Sequence, residues 1–433
     1  MTDDVQPMEK AYDSILAPYR VGHQILLVGK NPLPNAVAGK LLTMPSGKIT
    51  LIHSWDTAPI ARKLQSWLKG EGLPLPEMKE VEESNATSIM QGVLSQLSDS
   101  DGKTLGLNYT GGTKAMSVHA YRAVENWGKD KKHKPIFSYL DARTLQLIFD
   151  ANDPASGEQS YAMYVGELLQ VKLSDLLNLH DWSLMHNPTR HPKLPETAEA
   201  LASAYSTSQG ATQWRKWKSD QLFNKCHDSK TNKWKENGIL RFINLTLPDH
   251  SELRDVQIAL QKALKVTTDE FNIGKVKNDY RFNKEEDFCD WLNGYWLEHY
   301  VLYVLKSLSK NLKLHECVMN VRTLNVDFEV DVIAIRGYQL FAFSCSTIKA
   351  NDKVGREELK KKLFEAFVRA RQLGGDEARL ALVCSSNDPD KLEDEMRRDF
   401  DPDSRIRVFG RDNLDKLGQH IEEWINSQSG EPT

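Results

Sequence analysis

Two groups of residues in this chain have types and spacings that could do chemistry on phosphate. The first is Thr110-Gly111-Gly112-Thr113-Lys114, which follows an apolar strand pattern over residues 104–108 and opens a helical pattern near Thr113. Adjacent glycines let a backbone approach a ligand closely, and a helix start offers unpaired N–H groups with partial positive charge. Lys114, Thr110 and Thr113 add donors, so the turn suits an anion. A plain strand-to-helix turn would use the same glycines, and neither G-x-x-x-x-G-K-[ST] nor G-x-G-x-x-G stands near it, which disfavours an ordinary nucleotidase or dehydrogenase.

The second group lies near the C-terminus. Residues 328–335 read as a strand that carries Asp331 among apolar neighbours, and residues 339–346 read as the strand that pairs with it across the turn Arg336-Gly337-Tyr338. Period-two geometry puts Glu329, Asp331 and Ile333 on one side of the first strand, and Ser344 and Ser346 together on one side of the second. A buried carboxylate is costly unless it is paired or binds a cation. Glu298, on an amphipathic stretch over 287–305, could reach the same spot, giving two or three oxygen ligands for Mg²⁺ or Mn²⁺. A structural ion pair of Asp331 with Arg336 or Lys349 is the alternative.

The elements that must position these groups alternate. Strand patterns at 24–28, 49–53 and 104–108 are each followed by a helical pattern or turn signals, with helices over 35–42, 58–68 and 87–97 and a closing hairpin over 137–140 and 144–149. Such alternation implies a parallel doubly wound sheet, with ligands beyond the carboxyl ends of its strands. Three loops then converge there: 29–32, 54–57 and 110–114. Further on, 286–433 reads helix, strand, strand, helix over 357–373, strand over 379–384.

The stretch Asn108-Tyr109-Thr110-Gly111-Gly112-Thr113-Lys114-Ala115-Met116, with Gly29-Lys30-Asn31-Pro32 and His53-Ser54-x-Asp56-Thr57, resembles the CRISPR-associated Rossmann fold (CARF) domain that senses cyclic oligoadenylates. The resemblance covers residues 1 to about 165. It implies a homodimer holding one cyclic ring across its two-fold axis, and it assigns ring contacts to Gly29, Lys30, Asn31, Pro32, Ser54, Thr57, Thr110, Gly111, Gly112, Thr113, Lys114 and Met116. The C-terminal pattern resembles the PD-(D/E)xK restriction-endonuclease-like fold, and the combination resembles CARF nucleases of type III CRISPR systems activated by cyclic tetra-adenylate. That resemblance implies Glu298 and Asp331 as metal ligands, Mn²⁺ or Mg²⁺ as cofactor, and DNA or RNA as substrate, single-stranded or supercoiled.

The chain departs from the pattern where a D/E-x-K triplet should stand: it reads Ser344-Cys345-Ser346-Thr347. Serine is neutral and cannot replace a lysine that stabilises developing phosphorane charge. Lys349 beyond the strand, or Glu357, Glu358, Lys360 and Lys361 on the next helix, could point back at Asp331 instead. If none does, the C-terminal domain is a ligand-gated binding module for nucleic acid or a partner. Cleavage of the activator within the CARF lobe is a third reading.

Composition agrees with a large globular α/β chain. It has 433 residues, 40% hydrophobic and 27% charged, with a net charge of -4, which argues against general nucleic-acid coating. No stretch approaches roughly 18 apolar residues, and the first residues are acidic and polar, so a cytoplasmic protein is expected. Cys226, Cys289, Cys317, Cys345 and Cys384 show no C-x-x-C spacing, and a buried thiol is expected for Cys345. No arginine precedes a histidine with four residues between, which removes the R-x-x-x-x-H ribonuclease site carried by many CARF proteins. Three regions are expected: a sensor over 1–165, a mostly helical connector over 166–285 and a nuclease-like domain over 286–433. In the connector, Trp214-Arg215-Lys216-Trp217-Lys218 and Lys233-Trp234-Lys235 suit either single-strand stacking or a helix face with half-buried tryptophans. The 129–134 lysine loop is expected to be simply exposed.

Overall fold

The computed structural model describes residues 14–97, 103–129, 131, 134–151, 158–280, 282–324, 328–348, 353–401 and 405–428. The N-terminal lobe is a seven-stranded sheet in the order β3-β2-β1-β4-β5-β6-β7. Its strands are β1 (Val21–Leu27), β2 (Thr43–His53), β3 (Glu77–Glu80), β4 (Leu105–Asn108), β5 (Ile136–Asp141), β6 (Gln146–Phe149) and β7 (Tyr161–Tyr164). The first five run parallel and the last two turn back antiparallel. Helices α1 (Leu33–Leu42), α2 (Ala58–Gly70), α3 (Ala86–Leu94) and α4 (Lys114–Gly128) cover its faces. Every residue of β4 is buried, as continuous apolar runs in parallel sheets require. Strands β3 and β7, both edge strands with mixed sequences, carry no clear alternation and were not expected.

After β7 the chain passes straight onto the C-terminal sheet. Helix α5 (Leu173–Leu179) starts with the Leu173 N–H donating to Glu316 at 2.8 Å, and Leu184 and Thr189 bridge to Thr323 and Met319. Helices α6 (Pro195–Tyr205), α7 (Ser208–Trp217) and α8 (Arg254–Leu264) follow, with two small antiparallel pairs, β8 (His227–Asp228) with β9 (Lys233–Trp234) and β10 (Asn244–Thr246) with β11 (Glu270–Asn272). Trp214 and Trp217 are buried and stacked, with ring centroids 4.6 Å apart. The aromatic run is therefore core; of its basic residues Lys216 is exposed, Arg215 lies over the Tyr205 ring and Lys218 donates to the Asn293 carbonyl at 2.6 Å. In the 129–134 loop, residues 130, 132 and 133 lie outside the described residues.

The C-terminal sheet has five strands in sequential order: β12 (Glu316–Arg322), β13 (Glu329–Arg336), β14 (Gln339–Ser346), β15 (Arg379–Cys384) and β16 (Ile406–Phe409). The first three are antiparallel and the last three parallel. Helix α9 (Trp296–Leu308) and α12 (Leu417–Ser427) share one apolar cluster with Val332, Ala334, Phe341, Phe343 and Cys345. The long helix α10 (Lys353–Gly374) shares the other with Ile333, Ile335, Leu340 and Ala342, while α11 (Pro389–Phe400) packs beside β16. Among the described residues no helix is long and apolar enough to cross a membrane.

Candidate functional site

Strands β13 and β14 pair from Arg336↔Gln339 as far as Val332↔Phe343, and there the ladder ends. Asp331 is the next residue, so its carboxylate meets a strand that no longer pairs with β13 but still pairs with β15 through Cys345↔Val383. Asp331 Oδ2 accepts the Cys345 N–H at 2.7 Å and the Ser344 hydroxyl at 3.3 Å. The side chain thus takes over the backbone bonding where the sheet splays, which offsets the cost of an unpaired backbone group.

Glu298 reaches this splay from α9. A π-helical turn, Trp291–Tyr295, precedes it, and Gly294 lies so close to β14 that a Cβ there would meet Thr347 Oγ1 at 2.9 Å. Single π turns re-aim the residues after them, and here they deliver Glu298 at the end of the strand. Burial and the neighbouring Asp331 carboxylate hold Glu298 well above the usual carboxylate range. Two carboxylates sharing one pocket repel, and a cation between them removes that cost.

Lys362 approaches Asp331 from α10. Its Nζ lies 3.2 Å from Asp331 Oδ2 and donates to the Cys345 carbonyl. Burial works against its charge, but Asp331, the Cys345 thiol and Glu298 together keep its pKa above the ordinary lysine value. Arg322 and Glu329, paired at 2.6 Å, form the outer rim with half-exposed Tyr295.

Of the residues expected here, Glu298, Asp331 and Ser344 come together. Ser346 is buried and its hydroxyl accepts the Ile348 N–H at 3.4 Å. Lys360 does not turn to Asp331: it pairs with Glu395 at 2.5 Å. Glu358 is exposed, and α10 begins at Lys353, where the expected helix began at 357. Lys349 lies outside the described residues. Arg336 bonds Gln339 and not Asp331. Lys362 was missed; its signal was its place between Leu359 and Leu363, two residues of the buried stripe. Cys345 is buried, and burial pushes its thiol well up, as expected of an inert cysteine.

In the N-terminal lobe, β2, β1 and β4 are neighbours, so their loops meet at one sheet edge. A Cβ on Gly29 would sit 2.9 Å from the Gly112 nitrogen, and one on Gly111 2.2 Å from the Leu27 carbonyl oxygen. These glycines therefore serve close loop packing, and Gly112, at φ +77°, also needs its conformational freedom. Thr113 caps α4, accepting the Met116 N–H at 3.2 Å. Three expected donors are committed internally, since the Thr113 hydroxyl also donates to the Glu83 carbonyl at 3.2 Å. The Thr110 hydroxyl bonds Asn108 at 2.8 Å and accepts the Leu140 N–H at 2.7 Å, and Thr57 accepts the Ser54 N–H at 3.0 Å. Met116 and Pro32 are buried, whereas Lys30 and Lys114 are exposed on the rim. Asn31 accepts the Leu33 N–H at 3.1 Å and donates to Glu377 of the C-terminal domain at 3.3 Å. A residue absent from the expected set, Trp55, stands 78% exposed at a cavity of about 430 Å³ lined also by Ser54, Asp56, Glu80, Glu82 and Ser88.

The fold and sites define a class: a mostly parallel seven-stranded α/β lobe joined to a mixed five-stranded α/β domain that carries a carboxylate pair where two of its strands splay. Residues 285–428 match the model of one family, the Card1-like endonuclease domain. Over nearly the whole chain the fold is similar to protein VC1899 from Vibrio cholerae, with a TM-score of 0.66 and 17% identity over 94% of this chain and 99% of that one. It is also similar to Can2 from Sulfobacillus thermosulfidooxidans, solved in complex with cyclic tetra-adenylate, with a TM-score of 0.63 and 15% identity over 96% and 99% of the two chains. No curated protein matches the sequence. The likeness is thus one of family model over residues 285–428 and one of fold over nearly the whole chain.

Proposed function

We propose that this protein is a nuclease that hydrolyses nucleic-acid phosphodiesters with a divalent metal and is switched on by cyclic tetra-adenylate in type III CRISPR defence. The observation that carries the reading is the Glu298 and Asp331 pair at the splayed end of β13 and β14, inside the segment similar to the Card1-like endonuclease domain. These carboxylates fit Mg²⁺ or Mn²⁺: they are oxygen donors, close enough that the Asp331 charge adds to burial in raising the pKa of Glu298, and fixed from two elements. Bound there, the metal would supply Lewis acidity and lower the pKa of a water. The chain holds Asp331 by the Cys345 N–H and the Ser344 hydroxyl, so its free oxygen keeps one orientation. Glu298 stands opposite on α9.

Support for the activator comes from the whole-chain likeness to a fold solved with that ligand and from the chemistry of the loop edge. Lys30, Lys114 and the α4 N-terminus suit phosphates. Trp55 suits a base, while Asp56, Glu80 and Glu82 suit ribose hydroxyls and amino groups, which donate hydrogen bonds. Two copies facing across a two-fold axis would enclose the ring.

The competing reading, a domain that binds without cutting, rests on Ser344 and Ser346. Incubation with labelled single-stranded DNA, single-stranded RNA and supercoiled plasmid in Mn²⁺ or Mg²⁺, beside Asp331→Ala and Glu298→Gln, separates the two. The nuclease reading expects cutting that both substitutions abolish. Binding without cutting by the wild type would establish the other.

A further inference from the structure

We propose that Lys362 is the catalytic lysine of this site, delivered by helix α10 in place of the one that the strand lacks at Ser346. The proposal rests on the nuclease reading above and deepens it. Three observations carry it.

The first is position. Lys362 Nζ touches Asp331 Oδ2 at 3.2 Å and the carbonyl of Cys345, the middle residue of Ser344-Cys345-Ser346. The ammonium therefore sits level with the missing triplet, although it comes from another element. The second is the disposition of the neighbouring cations. Lys360 is held by Glu395, Arg322 by Glu329 and Arg336 by Gln339. The third is anchorage. Leu359 and Leu363 are fully buried on either side of Lys362, so the stem of the lysine is fixed against the sheet while its charged end reaches Asp331.

In hydrolysis, water adds its oxygen to phosphorus and gives up a proton to solvent. The P–O bond to the leaving sugar oxygen breaks, and that oxygen takes a proton. Lys362 changes neither the atoms nor the electrons of this balance. Its ammonium acts by charge, hydrogen-bonding a phosphoryl oxygen as negative charge gathers on the pentavalent centre. As a positive charge beside Asp331 it also opposes entry of a metal cation, so it affects metal binding and turnover in opposite directions.

The test compares wild type with Lys362→Met and Lys362→Arg in the full chain. Mn²⁺ is titrated by calorimetry without nucleic acid, and kcat and KM are measured on the substrate that wild type cuts. Lys362→Met should lose about 100-fold in kcat with KM little changed. It should bind Mn²⁺ roughly tenfold more tightly. Lys362→Arg should recover part of the rate. Unchanged cutting by Lys362→Met overturns the lysine role alone, and so does weaker Mn²⁺ binding joined to a lower melting temperature, which marks a structural strut. A wild type that cuts nothing overturns the nuclease reading and this role with it. If Lys362→Met does not fold, Lys362→Gln gives the same paired readout.

Discussion

Cys345 divides its work between core and site. Its side chain is packed with Phe341 and Phe343, while its N–H and C=O serve Asp331 and Lys362. Asp331 was legible in the sequence because a carboxylate in an apolar strand demands a partner. Lys362 was not, because a lysine beside an apolar helical stripe reads equally as a snorkelling surface residue, and only the tertiary fold brings it to Asp331. Trp214 teaches the converse lesson. Aromatic and basic residues together fit a nucleic-acid binder by composition, yet Trp214 is fully buried, and Trp217 Nε1 donates to the Thr246 carbonyl at 2.8 Å. Trp214→Ala should therefore cost about 3 to 5 kcal/mol in denaturant unfolding. Unchanged stability together with weaker nucleic-acid binding would contradict this.

At the scale of elements, α10 joins the two sites. Lys362 lies about 18 Å along the helix from its end at Gly374, given the usual rise per residue. Just past that end, a Cβ on Gly375 would meet Asn31 Nδ2 at 1.9 Å, and Glu377 accepts from Asn31. We propose that a shift of the 29–32 loop on ligand binding would press through this contact on the helix that carries the lysine. Gly375→Ala, in a residue at φ +66°, should displace Asn31 and reduce both cyclic tetra-adenylate affinity and activation of cutting at saturating ligand, as read by calorimetry beside the cleavage assay. Equal activation would contradict the route.

Glu377 adds a pH dependence to the same contact. Burial first, then Asp376, raise its pKa from 4.5 to about 7 against the Asn31 hydrogen bond and Arg379. Buried Tyr338 also faces it, and Arg405 pairs with Asp376 at 3.2 Å. A carboxyl whose folded pKa is raised contributes stability below its unfolded pKa and loses it as pH rises through the folded value. Wild type should therefore lose melting temperature relative to Glu377→Gln between pH 4.5 and 7, with no further divergence above. A constant difference across that window would contradict the assignment. Sequence patterns found five strands of the N-terminal sheet and three of the C-terminal one, where periodicity is local and strong, but not β3, β7, β12 or β16. They could not find this contact, because neither a glycine nor a glutamate signals a partner in another lobe.

For the whole molecule, the lobes share one apolar core. Leu33, Ala38 and Leu145 of the N-terminal lobe belong to the same cluster as Tyr338, Leu340 and Leu363 of the C-terminal domain. The two sheets are accordingly packed against one another through this cluster. We propose that the signal crosses this interface within each chain and is set by a ring shared between two chains. Calorimetry should then give one cyclic tetra-adenylate per two chains, and a ratio of one per chain would contradict the shared site.

The central claim is the switch, and the most direct measurement is the cutting rate on the preferred nucleic acid at saturating Mn²⁺, with and without cyclic tetra-adenylate, in one preparation. The account predicts a rate that rises at least about tenfold with the ligand, which corresponds to a coupling free energy in the usual allosteric range. Equal rates with and without it, in a protein that binds the ring, would contradict the account.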